Sequence, residues 1–206
     1  MHFLLDYETI GQNVFNIPVI NCSCVMFDWN RFTSDNPYTF KGLLSEIKTF
    51  KVSIIDQVKN HKRSYKDSDL DWWQKQSHEV CKQLKPSVED LTLKGYIDSI
   101  ISYIGDIKVD YWWSRANSFD PVILQRDFNT VYPNRDLNDH LKFWNVRDVR
   151  TYIDTNFRFK LKRNTFCPYE DEEKWKEEFQ THNSAHDVAA DILRLQMIER
   201  CINNEG

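Results

Sequence analysis

The apolar residues of this chain recur with a period of two in its first third and with a period near 3.6 over much of the rest. His2 to Glu8 and Val19 to Phe27 alternate β-branched, aromatic and small apolar residues between turn signals, which predicts two strands. Asp28-Trp29-Asn30 is expected to turn the chain back. From Lys48 to Ile54, the residues Phe50, Val52 and Ile54 share one face and Lys51 and Ser53 the other, the pattern of a third strand. The first third therefore reads as a meander.

Helical spacing follows, first in short segments from Ser68 to Gln76 and on to about Leu84, then in a longer one from Leu91 to Ile104. Tyr111-Trp112-Trp113 predicts a fourth strand. Pro121 suits the first turn of a helix through Val122-Ile123-Leu124, because proline there forfeits no intrahelical hydrogen bond. A strand or short turn around Phe143-Trp144 leads to a helix from Val149 to Phe157. The last helix, Ser184 to Ile202, sets Val188, Ile192, Leu195 and Ile202 close to one face. Strands followed by alternating helices and strands predict an α/β fold with a mixed sheet, and residues 1–206, without repeat or low-complexity linker, read as one domain. The least regular segment, Arg158 to Thr181 with Cys167-Pro168 and the acidic run Glu170 to Glu173, reads as solvated surface or as a loop beside the site.

Composition narrows the function. With 206 residues, 41% of them hydrophobic, the chain can bury a sizeable core. Its 27 basic and 31 acidic residues leave a net charge of -4, which excludes a general nucleic-acid coat protein and confines any nucleic-acid contact to a local surface. No stretch approaches the roughly 20 apolar residues of a membrane span, and the apolar start at Met1 becomes charged at Asp6, so the expected location is the cytoplasm, with no membrane partner. Cys22, Cys24, Cys81, Cys167 and Cys201 lack a second close pair to complete a zinc site and are expected to be reduced and structural.

Three places carry unusual chemistry. Asp6-Tyr7-Glu8 puts two carboxylates on one face of a strand, where like charges repel and unpaired burial is costly; a divalent cation would resolve that conflict. Asp120, between the fourth strand and the Pro121 helix, is either a helix cap or a third acid. In His182-Asn183-Ser184-Ala185-His186-Asp187, residues five apart on a helix would point about 140° from each other, so His182 and Asp187 converge only if His182 lies on the preceding loop. Ser184 suits an N-cap there and Asp187 the third helical position, which is also the spacing of a capping box.

Asp6-Tyr7-Glu8-Thr9, Asn117-Ser118-Phe119-Asp120 and His182 followed by Asp187 resemble, in order and spacing, the three motifs of the DnaQ-like, DEDDh 3′-5′ exonucleases. Asp71-Trp72-Trp73-Gln74-Lys75-Gln76-Ser77, Phe143-Trp144-Asn145-Val146-Arg147-Asp148-Val149-Arg150-Thr151 and His186-Asp187-Val188-Ala189-Ala190-Asp191-Ile192-Leu193 are similar to the phage exonuclease A group and to exoribonucleases of the RNase AS type. The resemblance covers essentially the whole chain. It implies a ribonuclease H-like fold, a mixed five-stranded sheet flanked by helices, and, for a phage-encoded member, the host cytoplasm.

The resemblance also implies a mechanism. Asp6, Glu8, Asp120 and Asp187 would hold two magnesium ions, with manganese able to substitute, because oxygen-only ligands favour these metals over zinc. His182, preferred over His186, would take a proton from the attacking water, with activity rising from about pH 6 to 8. The substrate would be a single-stranded nucleic acid with a free 3′ end, DNA slightly before RNA, cut to nucleoside 5′-monophosphates. Thr9 would contact the terminal nucleotide, and one of Trp72 and Trp73 would stack on a base while the other packs the core. His61-Lys62-Arg63 and the run Arg158 to Arg163 are candidate phosphate contacts, and Arg147, Asp148 and Arg150 read as a structural ion-pair network. Three rivals remain at this point: a phosphodiesterase for short oligonucleotides, a binding module without hydrolysis, and, least favoured, a structural interaction protein that uses its aromatics as a binding face.

Overall fold

A computed structural model describes residues 1–156 and 178–204. Strands β1 (His2–Thr9), β2 (Val19–Phe27) and β3 (Lys48–Lys51) pair antiparallel, while β4 (Tyr111–Ser114) and β5 (Val146–Asp148) run parallel to β1. The five strands form one mixed sheet in the order β3-β2-β1-β4-β5. The meander of the first third is thus real, but β3 stops at Lys51. Ile54 is not a strand residue: the Ser53 hydroxyl accepts from the Asp56 N–H at 3.2 Å and starts helix α2 (Ile54–His61). A preceding short helix, α1 (Phe40–Glu46), begins at a Thr39 cap. Its buried side chains, Phe40 and Leu43, are too few to produce a readable period.

The alternation along β1 sorts its side chains between two cores. Phe3, Leu5 and Tyr7 join Cys22, Cys24 and residues of α5 (Leu93–Ile104) and α6 (Asp120–Val131). Leu4, with Val25 and Phe27, faces the final helix, α8 (Ser184–Asn204), through Val188, Ile192 and Leu195. Each fully buried aliphatic side chain of this kind contributes about 1.5–3 kcal/mol. Asp6 and Glu8 continue the Leu4 side, so the sheet face that packs α8 is also the face that carries the acids. The stripe expected on α8 ends early, for Ile198 is buried and Ile202 is 47% exposed. Helices α3 (Asp67–Gln74) and α4 (His78–Cys81) close the end of β1 and β2 with a smaller core of Ile10, Ile20, Trp73 and Val80.

Several expected roles change in three dimensions. Arg63 is buried rather than free for phosphate: its Nη2 reaches Asp127 Oδ1 at 2.9 Å, and Arg126 holds the same oxygen at 2.8 Å. His61 lies 3.6 Å from Asp56. Asp148, at the mouth of α7 (Val149–Asn156), accepts backbone N–H groups from Asn117 and Thr151, and Arg147 sits 4.2 Å above the Tyr111 ring, so these two serve backbone capping and ring packing rather than an ion-pair network. Cys22 and Cys24 are buried free thiols, as expected of structural cysteines. The run Arg158 to Arg163, Cys167 and the acidic run Glu170 to Glu173 lie outside the described residues. Among the described residues, no helix is long and apolar enough to cross a membrane.

Candidate active site

The site is built where β1, α6 and α8 meet. Asp6 and Glu8 leave β1 on one face, and their partners across β2 are Ser23 and Asn21, small polar residues that put no apolar cover over them. Helix α8 enters from above. Its first helical hydrogen bond runs from the Asp187 N–H to the Asn183 carbonyl at 3.0 Å, and the Asn183 side chain accepts from the Ala185 N–H. Asn183, not Ser184, is therefore the cap; the capping-box position expected for Asp187 shifts by one residue and its carboxylate points at β1. Asp6, Glu8 and Asp187 each offer an oxygen within 4.8 Å of the others. Asp120 stands outside that set of three. It is the first residue of α6, after Phe119 at the cap position, its carboxylate is buried, and its N–H reaches the Ala116 carbonyl at 3.3 Å.

Burial raises the pKa of all four acids. Glu8 is pushed up to about 8 by desolvation and by the charges of Asp187 and Asp120. Asp6 rises well above the carboxylate range through burial and then through Asp120, Asp187 and Glu8. Asp120 is pushed to about 7 by burial, against the backbone N–H groups that favour its anion. Asp187 also rises to about 7, from burial and Asp191, with Arg115 and Arg194 opposing. Repulsion of this kind is what a hard divalent cation relieves, and an all-oxygen donor set is the chemistry such a cation prefers. The three converging carboxylates fit one.

The two histidines separate. His182 lies on the loop before α8 with φ of 63°, in the left-handed region. Its ring meets Trp72 edge-on at 4.8 Å, and burial lowers its pKa, keeping the imidazole neutral. The His186 ring packs on Phe40 at 5.4 Å, and its Nδ1 accepts from the Gln180 N–H. His182 lines a cleft of about 790 Å³ together with Glu8, Thr9, Gly11, Tyr65 and Trp72; His186 does not.

The tryptophans divide as well. Trp72 is 45% exposed in the cleft, whereas Trp73 is 2% exposed and donates its indole N–H to the Thr9 carbonyl at 3.0 Å. Trp73, expected as a possible stacking wall, is thus a strut holding the end of β1. Gly11 follows at φ of 102°, where a Cβ would lie 2.8 Å from Asp69 Oδ2, so only glycine fits this cleft wall.

Sequence reasoning assigned no role to Arg115 and Asp191. Asp191 follows Asp187 by four residues, one helical turn, and that i,i+4 spacing is the available signal. It binds Arg115, and Arg194 at 2.6 Å, holding positive charge beside Asp187.

The chain is similar to known proteins in both sequence and fold. Residues 1–196 match the family model of the 3′-5′ exoribonuclease Rv2179c-like domain. An exodeoxyribonuclease of Enterobacteria phage T4 is 33% identical over 208 residues, covering 94% of this chain and 87% of that protein. The fold is similar to E. coli exonuclease I in complex with a dA16 oligonucleotide, with a TM-score of 0.63 and 14% identity over 97% of this chain. It is similar also to the zinc-ion-bound E. coli exonuclease I–ssDNA complex, with a TM-score of 0.56 and 15% identity over 99% of this chain. This chain spans about 40% of the length of those two structures. The mixed sheet with its flanking helices is accordingly ribonuclease H-like. The chain belongs to the Rv2179c-like 3′-5′ exoribonuclease domain family of DnaQ-like nucleases, and it is a 3′-5′ exonuclease acting on nucleic acid.

Proposed function

We propose that this exonuclease removes nucleoside 5′-monophosphates from the 3′ end of single-stranded DNA, with Asp6, Glu8, Asp120 and Asp187 holding two magnesium ions and His182 as general base. The observation that carries the reading is the convergence of Asp6, Glu8 and Asp187 oxygens within 4.8 Å, at the end of a cleft that His182 also lines. When bound, such ions stabilise both the attacking and the leaving oxygen of an in-line phosphoryl displacement; manganese, equally tolerant of oxygen ligands, substitutes.

The chain's own groups do the rest. Asp6, Glu8 and Asp187 surrender their protons when the metal is held. Asp120, buried at the start of α6, completes the negative field. His182, neutral because it is half-buried, accepts the proton of the attacking water. Trp72 stacks on a base, a contact worth about 1–3 kcal/mol, and Thr9 lines the pocket of the terminal nucleotide. The whole chain, residues 1–206, acts as one domain in this reading.

DNA is favoured by the phage relative, whose name is exodeoxyribonuclease, and by the oligonucleotide complexes of the structural neighbours. A second reading, single-stranded RNA, is favoured by the family description. Matched 5′-labelled DNA and RNA strands, with magnesium or with chelator, separate the two. Wild-type protein with magnesium should shorten the DNA from its 3′ end faster than the RNA, and Asp6→Ala should leave both intact. Cleavage that resists the chelator overturns the metal reading; faster loss of RNA replaces DNA as substrate. His182→Ala should slow the reaction by about 10²–10⁴-fold, the usual worth of a general base.

A further inference from the structure

Beneath the acids runs a chain of side-chain hydrogen bonds that ends on the backbone of His182. Thr49 Oγ1 meets Ser23 Oγ at 2.7 Å, Ser23 Oγ meets Ser184 Oγ at 2.6 Å, and Ser184 Oγ meets Asn21 Oδ1 at 2.6 Å. Asn21 Nδ2 then reaches Gln83 Oε1 at 2.6 Å, and Gln83 Nε2 reaches the His182 carbonyl at 3.1 Å. A carbonyl can only accept, so Gln83 must present its NH₂ to His182 and its oxygen to Asn21. Asn21 must then present its own oxygen to Ser184, which makes Ser184 a donor there and an acceptor from Ser23. Every donor consequently points towards His182, and bonds aligned head to tail reinforce one another in a buried setting.

The path crosses the site's framework. Ser23 and Asn21 are the cross-strand partners of Asp6 and Glu8, and both are buried. Ser184 is the first residue of α8, three before Asp187. Gln83 lies on a single 3-10 turn, Lys82–Leu84, that has no other part in the site. His182 holds a left-handed backbone that a residue with a Cβ adopts only when its surroundings impose it. Its carbonyl tether and the Trp72 and Trp73 rings, at 4.8 and 6.4 Å, are those surroundings.

We infer that Gln83, backed by Asn21 and Ser184, is a positioning residue that holds His182 in its left-handed conformation and aims its imidazole into the cleft. The consequence for catalysis rests on the reading of His182 as the base; the consequence for geometry does not. Gln83→Met keeps the length of the side chain but neither donates nor accepts. It should lower kcat by about tenfold to a hundredfold, leave KM for a labelled oligonucleotide within about twofold, and leave the melting temperature nearly unchanged. Combined with His182→Ala, it should cost nothing further, because a group that acts through another adds nothing once the other is gone. Losses that multiply in the double variant, or an unchanged kcat in Gln83→Met, overturn the assignment for catalysis. The ring-proton resonances of His182, identified by their absence in His182→Ala, supply a separate readout in metal-free protein. Tryptophan ring currents displace them while the tether holds, and Gln83→Met should move them towards the positions of an exposed histidine. If His182→Ala retains full activity, the base reading fails while these resonances still decide the tether; resonances unmoved by Gln83→Met overturn it.

Discussion

Asp120 and Asp127 stand two turns apart on helix α6, both buried, in opposite company. Asp127 faces two guanidinium groups, Arg63 at 2.9 Å and Arg126 at 2.8 Å, themselves tied to the carbonyls of Val14, Phe15 and Ile17. Asp120 belongs to a group in which the strongest neighbouring charges on Asp6 and Glu8 are other carboxylates. The first cluster carries its counter-charge permanently and joins α6 to the loop after β1. The second repels itself, and in the proposed reading its counter-charge comes from the metal ions. A buried acid is therefore not a functional signal on its own; the sign of its neighbours makes the difference.

The sharpest way to break this contrast is to neutralise one member of each cluster. Asp6→Asn should reduce hydrolysis by about 10³-fold or more, since members of a catalytic unit fail together, while raising the melting temperature of chelated protein at neutral pH because a carboxyl that must be protonated to be buried becomes a neutral amide. Activity near wild type, or a lower melting temperature, would contradict it. Asp127→Asn should do the reverse. Two buried guanidinium groups lose their partner, so denaturant unfolding should show a loss of about 3–5 kcal/mol, with kcat of the remaining folded protein close to wild type. A stable but inactive Asp127→Asn would move that cluster into the catalytic machinery.

The dependence on pH gives a smaller effect with a definite sign. Glu8 near 8, and Asp120 and Asp187 near 7, lie above the 3.8 to 4.5 of free carboxyls, so the folded protein keeps protons that the unfolded chain releases. Without metal, this contribution to stability is fully present below about pH 4 and is lost as pH rises through 7 and 8. Magnesium competes with those protons and should raise the melting temperature more at pH 8 than at pH 5.5. Equal increments at the two pH values, read by scanning calorimetry, would show that the raised acids are not the metal's ligands. The least effect is expected from His186→Ala. Its ring packs on Phe40 away from the cleft, and turnover should stay within about twofold of wild type if catalysis belongs to the His182 side.

Much of this molecule was legible from its residues because the relevant physics is local. Strand alternation placed Asp6 and Glu8 on one face, Pro121 announced α6, and the apolar stripe from Val188 to Leu195 announced α8. Where two local readings were equally good, the residues could not choose. Ile54 satisfied a strand period, yet the Ser53 cap begins a helix there. Trp72 and Trp73 are chemically equivalent neighbours, and only the packing of α3 on β1 buries one and leaves the other in the cleft. Arg63 in a basic run looked like surface until Asp127, 64 positions away, took it inside.

The main strands, the longer helices and the candidate acids could be read from the residues, because period, capping and motif order are properties of near neighbours along the chain. The tertiary structure alone decided which acids share a cation-sized space, which histidine faces them, and which hydrogen bonds hold it there. Those outcomes depend on distances between residues such as Glu8 and Asp187, or Gln83 and His182, that lie far apart in the chain and meet only when α8 and the Lys82–Leu84 turn settle on the sheet.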